Sequence, residues 1–75
     1  MNQQTTSYKS IGLISRRECS IIACLAEGYT DEQIGEKVGL SKTAVQQNLR
    51  DLMRKQGVRH SYELISWAYT NGFLK

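Results

Sequence analysis

Between Ser41 and Arg59 the chain carries five basic side chains, Lys42, Arg50, Arg54, Lys55 and Arg59, against one acid, Asp51. Interleaved with them are the consecutive amides Gln46, Gln47 and Asn48 and the hydroxyl of Thr43. These groups hydrogen-bond rather than react. Glutamine matches the N6 and N7 edge of adenine, arginine matches the O6 and N7 edge of guanine, and lysine, arginine and hydroxyls reach phosphate oxygens. The preceding stretch has the opposite sign: Glu27, Asp31, Glu32 and Glu36 occur there with no base between them. The net charge of +3 is small, so the segregation matters more than the total. Positive charge gathered on one segment of a small domain suits a polyanion. A solvated helix face has the same composition, and charge alone leaves both possibilities open.

Reactive chemistry finds little to work with. His60 is the only histidine, and it stands without a second metal ligand or a nucleophile at motif spacing. No paired carboxylates in a pocket-forming context and no phosphate-binding glycine loop occur. An enzyme is not expected, nor a metal, a cofactor or a small-molecule substrate. Cys19 and Cys24 are five positions apart, about 500° around a helix. They point in different directions and are expected to be reduced packing residues.

To present the 41–59 side chains, the chain needs helices, and it signals four of them. The first is expected from about Arg16 to Glu27, opened by a capping box of Ser15 and Glu18 and stopped by Gly28. Its apolar face is Ile21, Ile22, Leu25 and Ala26. Arg17 and Glu18 read as an internal ion pair and a cap. The second helix, Asp31 to Val38, follows a second box of Thr30 and Gln33 and places Asp31 and Glu32 where the helix dipole favours them. Ile34 and Val38 form its inner stripe, Gly39 ends it, and Leu40 is expected to fold back under the turn. The third runs from the cap Ser41 to about Gln56 before Gly57. Val45, Leu49 and Leu52 mark its buried side, and Thr43, Gln47, Arg50 and Arg54 mark a second stripe at helical spacing. Gln47 lies about 200° around from Val45, so the second stripe faces away from the core. The fourth begins around His60 or Ser61 and ends near Asn71, with Leu64, Ile65 and Ala68 inward. Tyr62, Trp67 and Tyr69 leave apolar surface that one small core does not fully use.

Nothing reads as strand, so the fold class is all-α. Seventy-five residues hold one domain, with no expected room for a sensory, receiver or catalytic domain. The polar opening stretch, MNQQTTSYKS, makes residues 1–12 an expected flexible tail ahead of a folded domain over 13–75. No apolar run approaches the roughly 20 residues of a membrane span, and no signal-peptide core is present, so the expected location is cytoplasmic. Gly39-Leu40-Ser41 joins the second and third helices as a three-residue turn containing glycine. Such a pair, with a basic outer face on its second member, is the helix-turn-helix arrangement that places a helix in a groove about 12 Å wide.

Several spaced motifs resemble the LuxR-type (LuxR/FixJ) helix-turn-helix domain: Ile14-Ser15-Arg16-Arg17-Glu18, Leu25-Ala26-Glu27-Gly28-Tyr29-Thr30, Gln33-Ile34-Gly35, Val38-Gly39-Leu40-Ser41, Val45, Leu49 and Gly57-Val58-Arg59. The likeness covers about residues 13–74. It implies a four-helix bundle that regulates bacterial transcription by binding promoter DNA as a dimer, with a recognition helix over about 42–56 and a dimer contact on the fourth helix. The chain departs from the pattern at Arg16 (often Pro), Ala44 (often Thr), Asn48 (often His), and Gln46 and Gln47 (often Lys followed by a small or polar residue). Two glutamines in place of a lysine lower the attraction to phosphate and keep the capacity to read bases.

The resemblance puts Gln46, Gln47 and Arg50 at groove-facing positions, and they are the candidates for base readout. Lys42, Thr43, Asn48, Arg54 and Lys55 are the candidates for DNA-backbone contacts, with Arg59 reaching either DNA or a neighbouring carboxylate. Tyr62, Trp67 and Tyr69 are the candidates for a homodimer interface. The partner is then double-stranded DNA, with another LuxR-type regulator or RNA polymerase as protein partners to consider. A different class also fits: an interaction module that pairs through the fourth helix with a full-length LuxR-type regulator and modulates it.

Overall fold

Three hydroxyl side chains set where the chain turns into helix. Ser15 accepts a hydrogen bond from Glu18 N at 3.1 Å, and the Glu18 carboxylate accepts from Ser15 N at 2.9 Å. Thr30 and Gln33 repeat the exchange at 3.1 and 2.9 Å. Ser41 accepts from Ala44 N at 3.1 Å. Each cap satisfies amides that the first helical turn leaves without partners. The computed structural model describes residues 14–75 and contains, in that span, α1 (Arg16–Ala26), α2 (Asp31–Val38), α3 (Lys42–Gln56) and α4 (Ser61–Thr70). No strand occurs among the described residues. The tail expected over 1–12 lies outside them.

The core is one cluster to which all four helices contribute. Ile21 and Ile22 come from α1, Ile34 from α2, Val45, Leu49 and Leu52 from α3, and Leu64 and Ala68 from α4. Leu25, Tyr29, Val38, Leu40, Met53 and Val58 pack around it, half-buried. Two expectations shift. Ala26 and Ile65 stay partly exposed and outside the cluster. Leu64 and Ala68, four residues apart, already fill the inward stripe of α4, and Ile65 is rotated about 100° from Leu64. The inward role given to Ile65 passes instead to the C-terminal turn. Phe73 N and Leu74 N both bond to Ala68 O, at 2.8 and 3.2 Å, folding Phe73 and Leu74 back onto the core. Phe73 stacks on Trp67 with ring centroids 5.3 Å apart. The Cys19 thiol donates to Phe73 O at 3.6 Å, linking this turn to α1. Both cysteines are free thiols.

The turn between α2 and α3 is the tightest element. Gly39 sits in the left-handed region at φ 77°, which an L side chain rarely adopts. Gly39 N and Leu40 N both bond to Gly35 O, at 2.8 and 2.9 Å. Gly35 itself is buried, and a Cβ built there would run into the carbonyl oxygen of Leu40. The last turn of α2 and the entry to α3 are therefore in backbone contact, which sets the angle between the two helices. Gly35→Val, which adds a branched side chain at that contact, should destabilise the domain by at least about 1–3 kcal/mol in chemical denaturation, the usual cost of overpacking. An unchanged midpoint would mean that the turn has slack.

Candidate nucleic-acid interface

With Val45 and Leu52 fully buried and Leu49 nearly so, the rotation of α3 is settled, and its opposite side faces solvent. Lys42, Thr43, Gln47, Arg50 and Arg54 are all exposed there. The stripe read from spacing is present in the fold. Three of its side chains, Gln47, Arg50 and Arg54, are linked through Asp51 and Gln47. Gln47 Nε2 donates to Asp51 Oδ1 at 3.0 Å, Arg54 Nη2 reaches the same oxygen at 3.3 Å, and Arg50 Nη2 donates to Gln47 Oε1 at 2.9 Å. The Arg54–Asp51 pair leaves the two side chains 74% and 52% accessible. Pairs this open contribute about 0–1 kcal/mol, which a phosphate or base edge readily replaces. The network aligns the long side chains without locking them.

The other sequence candidates on α3 are placed differently. Gln46 is half-buried on the flank that meets α2, where its Nε2 donates to Asp31 Oδ2 at 3.2 Å. It does not share the open stripe with Gln47 and Arg50. A shallow groove runs beside it, lined by Leu25, Asp31, Gln46, Leu49, Arg50 and Met53, with Ser61 at the far wall. Asn48 is also half-buried, and its Nδ2 donates to Ala44 O one turn back at 2.8 Å. Lys55 lies 3.6 Å from Glu18, tying the end of α3 to the start of α1. The ion pair expected between Arg17 and Glu18 is thus made across the fold by Lys55. Spacing along the chain gives no sign of this contact, because it joins positions far apart in sequence.

At the start of α4, one oxygen of Glu63 accepts from Arg59 N at 2.7 Å and from His60 N at 3.1 Å. These two backbone bonds, Arg59 first, hold the Glu63 carboxyl below its ordinary pKa. The charges of His60 and Arg59 assist, and a small desolvation opposes them. Of the residues assigned to pairing, Tyr62 and Tyr69 are 69% and 51% exposed. Trp67 is half-buried against Phe73. The Tyr62 ring stacks on His60 at 5.3 Å. Tyr62 and Trp67 line a shallow cleft on the outer face of α4 together with Glu63, Ser66, Thr70 and Asn71, whereas Tyr69 does not line it. Among the described residues no group of His, Cys, Asp and Glu converges to hold a metal, and no helix is long and apolar enough to cross a membrane.

A glycine turn that holds a braced helix against the core, with amide and basic side chains along that helix's open side, defines a helix-turn-helix domain. The chain belongs to the luxR family of bacterial regulatory proteins, whose family model (GerE) matches residues 13–68. It is similar to the HTH-type transcriptional activator RamA of Corynebacterium glutamicum, 36% identical over 61 residues that cover 81% of this chain and 22% of that protein. It also resembles the oxygen regulatory protein NreC of Staphylococcus aureus, 29% identical over 75 residues covering 99% of this chain and 35% of NreC. The transcriptional regulatory protein DegU of Brevibacillus brevis is 25% identical over 67 residues, 89% of this chain and 28% of DegU. The chain thus spans a third or less of the length of RamA and DegU and 35% of NreC. No solved structure matches it.

The Glu63 cap has a pH signature. Its folded-state pKa is lowered, so the stability it contributes is present above the ordinary carboxylate range and is lost as pH falls through the folded value. Glu63→Gln should therefore lower Tm near neutral pH, and the gap to the parent chain should close in strong acid. Thermal melts followed by circular dichroism across the acid range check this. A gap that stays constant with pH would assign the loss to packing rather than to the carboxylate.

Proposed function

We propose that this domain binds promoter DNA sequence-specifically in the control of transcription, with α3 lying in the major groove. The observation that carries the reading is the division of α3: Val45, Leu49 and Leu52 anchor one side in the core while Thr43, Gln47, Arg50 and Arg54 stand open on the other. A side chain reads a base edge only if its helix is held rigidly at a fixed height above the groove. Family membership and the regulatory names of RamA, NreC and DegU support the same reading.

In this reading Gln47 and Arg50 contact bases from the open stripe, and Gln46 joins them from the α2 flank. Lys42, Thr43 and Arg54 bind phosphates and set the register, together with the free amides at the start of α3. Lys55 and Asn48 are backbone contacts that also bond Glu18 and Ala44, since an ammonium carries three N–H donors and an amide two. Two copies associate through the outer face of α4 with Tyr62, Trp67 and Tyr69, which sets half-sites about 10 bp apart. The exposure of both tyrosines favours that assignment.

Gel shift and footprinting on single and paired half-sites, at several salt concentrations, test the function as a whole. Affinity should fall steeply with salt and rise when two half-sites are correctly spaced, and salt-insensitive or absent binding would remove the reading. Arg50→Ala should weaken binding by about 1–3 kcal/mol and relax one base preference. An equal loss on all sequences would reassign Arg50 to phosphate. Lys42→Ala should weaken binding uniformly and lower the salt slope by about one. A sequence-selective loss at Lys42 would place it on a base instead.

A further inference from the structure

Among the polar contacts of α3, the one between Gln46 and Asp31 stands apart. The other bonds from its amide and guanidinium side chains stay within α3, whereas this one crosses to the first turn of α2. Both residues are half-buried, and they meet at the edge of the groove shared with Arg50. An ionised aspartate only accepts hydrogen bonds, so it faces the N–H side of an amide and repels the carbonyl side. The Gln46 amide, which would otherwise present either of two orientations, is thereby held with Nε2 toward α2. One N–H is committed to Asp31. When Asp31 takes the N–H anti to the carbonyl, the second N–H and Oε1 share one edge of the amide, and a donor and an acceptor side by side are what the N7 and N6 positions of adenine require.

We propose that Asp31 is a positioning residue for base recognition: from the α2 flank it orients the Gln46 amide so that a single donor–acceptor edge faces the DNA. The proposal rests on the DNA-reading function argued above and adds to it a residue from outside the recognition helix. It also gives a role to an acid placed close to a phosphate-binding surface. A carboxylate there weakens attraction to DNA of every sequence. It is useful where it sharpens the choice among sequences, since discrimination depends on a difference of affinities rather than on affinity itself.

The consequence is a separation of affinity from specificity. Asp31→Ala removes the charge and the acceptor and releases the amide, whereas Asp31→Asn, whose own amide accepts and donates, removes the charge and meets either face of the Gln46 amide. Overall affinity should stay equal or rise, while preference for the best base at the position read by Gln46 should fall about 3- to 10-fold, in the lower part of the range for coupled contacting groups. Selection of bound duplexes from a randomised pool, followed by titration of the single-base variants, reads both quantities. In a Gln46→Ala background the same Asp31 substitutions should change no base ratio, because the group they orient is gone. Melting curves confirm that each variant is folded before binding is compared. Retention of the full base preference in Asp31→Ala, or the same loss with and without Gln46, would overturn the positioning role while leaving DNA reading intact. A parent chain that binds all sequences equally would overturn the DNA-reading function, and the proposal with it.

Discussion

The domain depends on α3 being held at one height and one rotation, and two separate contacts impose this. The core stripe of Val45, Leu49 and Leu52 fixes rotation about the helix axis, because turning α3 by even one residue's worth, about 100°, would bring polar side chains into the cluster. The backbone contact between Gly35 and Leu40 fixes the angle to α2, because no side chain intervenes to soften it. The Lys55–Glu18 pair adds a third tie at the far end of the helix. Pairs of such accessibility are weak in stability terms, so its effect is mainly on direction. A short helix held at its middle, its start and its end is a rigid support for recognition side chains.

Much of this was legible along the chain, for a physical reason. Capping boxes are local: Ser15 with Glu18 and Thr30 with Gln33 each lie three residues apart, and the structure forms both. Helical periodicity is local as well, so the division of α3 into a buried and an open side follows from the positions of Val45, Leu49 and Leu52. The misses share the opposite character. Periodicity places Ile65 inward because it cannot see that Leu64 and Ala68 already fill the stripe and that Phe73 and Leu74 return to close the core. Spacing gives no sign that Gln46 sits half-buried against α2 and not on the open stripe with Gln47 and Arg50. Nor does spacing show that the Lys55 ammonium lies beside Glu18. Each depends on which residue of another helix happens to be adjacent, and that is settled by the packing angle rather than by spacing.

The acids show how the charge pattern works at close range. Along the chain they divide into a negative α2 and a positive α3, and that division suggested a polyanion. In the fold, acids also sit among the exposed and flanking polar side chains of α3. Asp51 holds Gln47 and Arg54 on the open stripe, and Asp31 holds Gln46 on the flank. Long side chains such as arginine and glutamine each lose about 1.5–2 kcal/mol of rotamer freedom when ordered. Ordering them in advance through weak exposed bonds lowers that cost at the moment of binding without creating contacts too strong to exchange. A surface of bases alone would attract DNA more strongly at long range, and would meet it with side chains still disordered. In the proposed DNA-reading role the two carboxylates give up some of that attraction, and in return the side chains proposed to meet the groove are already aligned when it arrives.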